Sequence, residues 1–269
     1  MARPQVGEAR PLTEGEQWSR DLLDRLRARR FSAPAWRDFM ADALERARRT
    51  RAGRPALTAQ SRRWGAAGLA AALPFGPRPA AYWAMWWALV DWHLGMAETP
   101  GGEPRPLRTQ DALTLARLWV APIVRRHPHP ALLAAALATD VADGALARRA
   151  GPTRLGRDLD STADTVLIDQ ALRGLIDEGA LPAGLIALER ARLALATAVV
   201  LASYFGRSEP TPPMTARRPA AALAGAGLLL GSTGRRRGGT AALVAASGYR
   251  ALIRVWASGA SAASAPESG

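Results

Sequence analysis

Hydrophobic positions recur at helical spacing along most of the chain, and strand signals are sparse. In the segment EQWSRDLLDRLRARRF the apolar residues lie three or four positions apart with charges between them, which predicts an amphipathic helix. A second helix is predicted from Ala35 to Arg51. Its apolar stripe consists of Trp36, Phe39, Met40 and Leu44. Because alanine and leucine dominate the remaining apolar positions and β-branched residues are few, the pattern predicts an all-α protein.

The chain becomes more apolar after residue 63, in a stretch that is broken by prolines. Four tryptophans fall within ten residues here: Trp83, Trp86, Trp87 and Trp92. Tryptophan favours the membrane–water interface, where its ring is buried and its N–H group stays hydrated. We therefore expect residues 64–100 to form an interfacial or membrane hairpin that ends in a linker, with a buried aromatic core as the alternative.

Six apolar segments follow the proline- and glycine-rich stretch ETPGGEPRPLRTQ, and each is separated from the next by helix-breaking residues. They span residues 112–125, 131–147, 162–176, 181–205, 219–232 and 239–257. A transmembrane helix needs about 20 residues, and several of these segments are shorter or contain charges. The pattern predicts a membrane domain over residues 101–258, an N-terminal amphipathic helical region over 1–63 and a disordered tail over 259–269.

Composition adds a strong positive charge and removes cysteine chemistry. The 269 residues include 36 basic and 23 acidic side chains, and every basic one is arginine. The net charge of +13 indicates an anionic partner such as phospholipid head groups, nucleic acid or a phosphorylated substrate. The absence of cysteine excludes disulfides and thiolate metal sites. The N-terminus lacks the short apolar core of a secretory signal, so we do not expect translocation.

Four aspartates stand close together between two apolar runs. Asp140 and Asp143 are three residues apart on one predicted helix, and Asp160 and Asp164 are four apart on the next, so each pair shares a helix face. If the two helices are antiparallel, the pairs approach each other. Four carboxylates require cations between them in an apolar setting. Oxygen ligands in this number suit Mg²⁺, Mn²⁺ or Ca²⁺. A ring of nearby arginines, Arg148, Arg149, Arg154 and Arg157, would help to hold a pyrophosphate.

The complete window reads Asp140-x2-Asp143-Gly144-x2-Ala147-Arg148-x7-Gly156-x3-Asp160-x3-Asp164. This closely resembles the signature of the CDP-alcohol phosphatidyltransferases, D-x2-D-G-x2-A-R-x(7–8)-G-x3-D-x3-D. The stretch QDALTLAR, with Asp111, Thr114 and Arg117, also resembles the N-x-L-T-x-x-R pattern that often opens the first core helix of the family. The resemblance covers about residues 107–257.

The resemblance implies six transmembrane helices, usually in a homodimer, with the active site on the cytosolic face of the cytoplasmic membrane. Asp140, Asp143, Asp160 and Asp164 would hold two divalent cations, Mg²⁺ or Mn²⁺. Asp164 would also be the general base that deprotonates the acceptor hydroxyl. The residues implied for CDP binding are Gly144, Ala147, Arg148, Gly156 and Thr114. The implied reaction transfers a phosphatidyl group from CDP-diacylglycerol to an alcohol and releases CMP.

The sequence leaves the acceptor open. Arg192, Arg217 and Arg218 are candidates for gripping a phosphorylated acceptor, although the G-K-x-x-T pattern that the family often has before its fifth span is absent. Within the enzyme class, the alternative is transfer of a phospho-alcohol from a CDP-alcohol to a lipid acceptor. Outside it, the alternatives are a basic helical nucleic-acid-binding protein and an inactive membrane scaffold. The apolar segments disfavour nucleic acid, and the intact signature disfavours the scaffold.

Overall fold

The computed structural model describes residues 12–99, 101–151, 153–206 and 214–263. Every regular element in these ranges is a helix, apart from an isolated bridge between Glu98 and Pro104. The α-helices are α1 (Glu14–Ala28), α2 (Ala33–Gly53), α3 (Pro55–Ala72), α4 (Pro77–Trp92), α5 (Thr109–Arg126), α6 (Pro130–Ala150), α7 (Arg154–Asp177), α8 (Gly184–Gly206), α9 (Met214–Ser232) and α10 (Arg236–Ala263). The predicted all-α class is confirmed.

A capping box fixes the start of α1. Thr13 Oγ1 accepts the Glu16 backbone N–H at 3.2 Å, and Glu16 Oε2 accepts the Thr13 N–H at 2.9 Å. These bonds satisfy two donors that a helix N-terminus otherwise leaves free. The apolar side of α1 buries Leu22 and Leu26, so the amphipathic helix expected from the sequence has a packed inner face.

The tryptophan-rich stretch forms a helical hairpin of α3 and α4. Trp83 Nε1 donates to the Gly65 carbonyl at 2.8 Å, and Trp87 Nε1 donates to the Ser61 carbonyl at 2.9 Å. A Cβ atom at Gly68 would lie 2.1 Å from the Trp83 ring, so only glycine admits this indole at that point of α3. The stretch therefore forms a helical hairpin in which two indole N–H groups bond to helix backbone instead of staying hydrated. Its position at a membrane interface stays a prediction.

The six apolar segments of the C-terminal part all form helices, α5 to α10. The largest difference is at α7, which begins at Arg154, eight residues before the apolar segment at 162. Thr153 caps this start by accepting the Gly156 N–H at 2.9 Å. The signature residues Gly156, Asp160 and Asp164 therefore lie on the first turns of α7. The last helix continues to Ala263, beyond the expected domain end at 258, and residues 264–269 lie outside the described part.

Small residues allow close helix packing in this bundle. A Cβ atom at Gly174 of α7 would lie 2.5 Å from the Arg125 carbonyl oxygen of α5, so these two backbones are in direct contact. The fully buried Leu118, Leu133, Leu175 and Leu228 come from α5, α6, α7 and α9. Helices α5 and α7 contribute to both apolar cores, one shared with α6 and α8–α10 and the other with the α3–α4 hairpin.

None of the helices within residues 12–99, 101–151, 153–206 and 214–263 combines the length and apolar character needed to cross a bilayer. The six predicted spans are thus confirmed as helices, and their position in a membrane stays a prediction.

Candidate metal and substrate site

The four signature aspartates project from two helices toward a third. Asp140 and Asp143 lie on α6, and Asp160 and Asp164 lie on α7. The side chain of Asp143 is 5 % exposed, whereas those of the other three aspartates are 36–40 % exposed. The cluster thus has one buried carboxylate at its base and three that are accessible from outside.

Arg117 of α5 lies at the centre of this cluster. Its side chain is 0 % exposed, and its guanidinium forms ion pairs with all four carboxylates. Nη1 donates to Asp140 at 3.1 Å and to Asp164, and Nη2 donates to Asp143 and Asp160. A planar guanidinium offers several donors in a fixed fork, so one side chain joins both pairs of aspartates.

The charges of the described side chains at this site do not balance. Among them, four carboxylates face one guanidinium, which leaves three formal negative charges. Charges of one sign in a medium of low polarisability repel strongly unless cations lie between them. Oxygen atoms of Asp140, Asp143 and Asp160 lie within 4.8 Å of one another. The donor set is made only of carboxylate oxygens, which fits Mg²⁺ or Mn²⁺.

Thr114 orients the buried carboxylate. It lies three residues before Arg117 on α5 and is 3 % exposed. Its Oγ1 lies 3.0 Å from Asp143 Oδ2 and 3.0 Å from the Gln110 carbonyl oxygen, and the Thr114 hydroxyl can donate to either oxygen. The sequence suggested this residue for CDP binding, and the structure gives it contacts with the aspartate cluster.

Gly156 allows α7 to begin against the start of α5. A Cβ atom at this position would lie 2.7 Å from Asp111 Oδ1 and 2.9 Å from Thr153 Oγ1. Asp111 is 2 % exposed, and its other oxygen accepts the Arg108 N–H at 2.7 Å, which caps α5. The signature glycine is therefore explained here by backbone packing, and its predicted contact with CDP stays a prediction.

Arg154 does not join the ring of arginines that the sequence suggested around the aspartates. Its Nη1 lies 2.5 Å from Glu98 Oε1 and donates to Thr13 Oγ1 at 3.1 Å, and its Nε lies 3.2 Å from Glu16 Oε1. All of these partners precede α5. Arg157 forms an exposed pair with Asp158 at 3.6 Å. The start of α7 is thus tied to the N-terminal region.

The remaining predicted residues are only partly described. Gly144 is half-buried on α6, directly after Asp143, while the side chains of Ala147, Arg148 and Arg217 lie outside the described part. Among the suggested acceptor residues, Arg192 pairs with Glu189 of its own helix, its Nε donating at 2.7 Å, and Arg218 is exposed. None of the described contacts of Arg192 reaches the aspartates.

Sequence reasoning missed the central position of Arg117 and the role of Glu98. Arg117 stands in the apolar run LTLARLWVAP, and a charge in such a run needs a partner, so the sequence did contain a signal for its central position. Glu98 gave no signal, because it stands in a proline- and glycine-rich linker that is typical of exposed chain.

Comparison with known proteins fits this arrangement. The family model for CDP-alcohol phosphatidyltransferase matches residues 111–257, which is more than half of the chain and includes the whole aspartate cluster. The chain belongs to the CDP-alcohol phosphatidyltransferase family. Its members transfer a phosphatidyl or phospho-alcohol group from a CDP-alcohol and typically depend on divalent metal. No curated protein and no solved structure shows significant similarity to this chain.

The match to the CDP-alcohol phosphatidyltransferase family covers only the C-terminal part of the chain. The match begins at Asp111 of α5, so α1 to α4 and the linker lie before it. The aspartate cluster is within the matched part, whereas the acidic partners of Arg154 are outside it. The phosphatidyltransferase domain is consequently in contact with a helical extension that the family model does not include.

Proposed function

We propose that the protein transfers a phosphatidyl group from CDP-diacylglycerol to an alcohol acceptor, with release of CMP. The main support is the convergence of Asp140, Asp143, Asp160 and Asp164 on one point, within the segment that matches the family. In the reaction, the acceptor hydroxyl oxygen attacks the phosphorus next to the lipid. The bond to the CMP oxygen breaks, and the hydroxyl proton passes to the enzyme.

Asp164 is the proposed base for that proton. Its side chain is 39 % exposed, so an acceptor can reach it, whereas Asp143 is 5 % exposed and contacts Thr114. Arg117 pairs with both aspartates, so exposure is what distinguishes them. A general base must come within hydrogen-bond distance of the proton that it removes. Asp164 lies on the more accessible side of the cluster and suits this role better than the buried aspartate.

Asp140, Asp143 and Asp160 are the proposed ligands of a divalent cation, because their oxygens already lie close together. A bound cation would neutralise the pyrophosphate charge and stabilise the departing CMP. Arg117 spans the two aspartate pairs and keeps α6 and α7 aligned on the substrate. Gly144, Ala147 and Arg148 continue along α6 from these ligands and are the proposed CDP contacts, together with Thr114 and Gly156.

We also propose that the enzyme works in the cytoplasmic membrane with its site toward the cytosol, as a homodimer. The lipid donor requires access from a bilayer, and α8 and α10 expose large apolar side chains, including Leu195, Leu201, Val244 and Leu252. An exposed apolar surface of this kind marks a lipid or protein contact. Arg192, Arg217 and Arg218 remain the proposed contacts for a phosphorylated acceptor.

The test is CMP release by the purified full-length protein in detergent with CDP-diacylglycerol and Mg²⁺. Acceptors are supplied singly: glycerol 3-phosphate, inositol, inositol 1-phosphate, serine and phosphatidylglycerol. Asp164→Asn is compared with Asp158→Asn, a variant of an exposed aspartate on the same helix. We expect release with one acceptor, a loss of at least about 100-fold in Asp164→Asn, and little change in the control.

Two results would contradict the proposal. Equal release by the two variants would remove Asp164 from the chemistry. Release from a CDP-linked polar alcohol with diacylglycerol as acceptor, and none from CDP-diacylglycerol, would assign the reaction to the other branch of the family.

A further inference from the structure

The outer face of α2 presents large apolar side chains to solvent. Trp36, Met40 and Leu44 are 45 %, 44 % and 37 % exposed. They are spaced four residues apart and therefore form one stripe along the helix. Ala35, about 140° around the helix from Met40, is buried, and so is Ala47 beyond the end of the stripe. The stripe that sequence reasoning identified on this helix is thus mostly outside the protein core.

The turn before α2 adds a fourth exposed apolar group. Phe31 is 45 % exposed, and its backbone φ angle is 55°, in the left-handed region. The preceding residue, Arg30, has φ 52°. Bulky residues rarely adopt this conformation, and here the Phe31 N–H donates to the Leu26 carbonyl at 3.0 Å, which closes the end of α1. Here the turn holds a phenylalanine at the surface next to the start of the α2 stripe.

Positive charge is concentrated around this stripe. Residues 25–54 include ten arginines and only three acidic residues, which is a surplus of seven out of the net +13 of the chain. Arg37 and Arg48 are exposed and lie about 60° and 80° around the helix from Met40, at about 100° per residue. The acidic residue Glu45 lies about 140° away from Met40 by the same spacing. Both arginines lie on the same side of Met40, so they line one edge of the apolar stripe.

We propose that this α2 face binds an anionic phospholipid surface. The aromatic and aliphatic side chains would enter the region between head groups and acyl chains, and the arginines would pair with phosphate groups. Nucleic acid offers phosphates but no apolar layer for Trp36, Met40 and Leu44, so the combination favours lipid. The proposal concerns a surface outside the family match and does not depend on the transferase activity.

The cysteine-free chain allows a direct test by site-directed spin labelling. Met40→Cys and the control Glu45→Cys are made in the full-length protein, labelled, and assembled into nanodiscs of phosphatidylcholine with or without phosphatidylglycerol. Both positions are exposed, so neither label disturbs packing. Collision of each label with oxygen and with an aqueous nickel chelate is measured by paramagnetic resonance.

With phosphatidylglycerol present, we expect the label at position 40 to be at least about threefold less accessible to nickel than the label at 45. Without phosphatidylglycerol the difference should shrink, because the arginines lose their anionic partners. Equal accessibility at the two positions in the anionic nanodiscs would overturn the proposal. Shielding of position 40 from both nickel and oxygen would point to a protein contact, and shielding only by added duplex DNA would point to nucleic acid; either result would also overturn it.

Discussion

Arg154 Nη1 lies 2.5 Å from Glu98 Oε1, and both side chains are at most 10 % exposed. This pair connects the first turn of α7, six residues before Asp160, to a linker outside the family match. Backbone geometry reinforces the contact, since the Arg154 N–H donates to the Glu98 carbonyl at 3.0 Å. The N-terminal extension thus holds the helix that presents half of the aspartate cluster.

Replacing Arg154 with alanine should destabilise the protein strongly. Glu98 would then be a buried carboxylate without its cation, and loss of one partner of a buried pair costs about 3–5 kcal/mol. Arg157→Ala is the matched control, because its pair with Asp158 is more than half exposed and exposed pairs contribute about 0–1 kcal/mol. Denaturant unfolding of the two variants measures the difference, and equal stabilities would show that the Arg154 pair is not structural.

Replacing Arg117 with methionine should destabilise the metal-free protein and increase its response to Mg²⁺. Four carboxylates without a cation repel one another, and we expect a loss of about 3–5 kcal/mol in EDTA. A divalent cation would supply the missing charge, so the Mg²⁺-induced rise in Tm should exceed that of the native protein. Arg173→Met serves as the control, since Arg173 pairs with a partly exposed Asp169 on its own helix. A smaller Mg²⁺ response in Arg117→Met would contradict the charge argument.

Divalent binding itself should depend on Asp160. Asp160→Asn removes one of the three carboxylates whose oxygens lie within 4.8 Å, and we expect the Mg²⁺ affinity to fall by at least about tenfold. The shift of Tm with Mg²⁺ concentration measures this affinity without any turnover. Asp158→Asn, two residues away and exposed, should leave the affinity within about twofold. Similar loss in both variants would mean that Mg²⁺ binds through surface charge alone.

Gly156→Ala should weaken the contact between α5 and α7. The added methyl group would lie 2.7 Å from Asp111 Oδ1, so the start of α7 must shift, at a cost of about 1–3 kcal/mol. Gly184→Ala provides the comparison, because nothing lies within 4 Å of a Cβ atom there. Calorimetry should find a lower Tm only for the first variant. An unchanged Tm in Gly156→Ala would indicate that the close approach to Asp111 is unimportant.

The helices were predictable because apolar periodicity and prolines mark them directly. The exact start of α7 was not, since Leu155 and Leu159 are the only large apolar residues from Arg154 to Ser161, and the first turn depends on the Thr153 cap and on tertiary contacts. The sequence also could not predict that the side chains of Trp36 and Met40 point toward solvent. An amphipathic stripe has the same spacing whether it meets a core or solvent, and only the packing of the neighbouring helices decides between them.

The aspartate cluster could be predicted because its spacing places each pair on one helix face. Its centre could not be assigned from spacing, because Arg117 lies 23 residues before Asp140 and reaches it only through the packing of α5 on α6. Arg154 was expected near the aspartates, since it lies between them in sequence. A nearby carboxylate, Glu98, competes for it in three dimensions, and linear distance gives no information about that competition.

The contact between Gly174 and the Arg125 backbone has a mechanical consequence. Sliding of α7 along α5 would bring a neighbouring side chain against the Arg125 carbonyl, so the two helices are expected to move as one unit. Arg117 on α5 and Asp160 and Asp164 on α7 would then keep their relative positions throughout a catalytic cycle. Access of a substrate to the aspartate cluster should consequently leave α5 and α7 together.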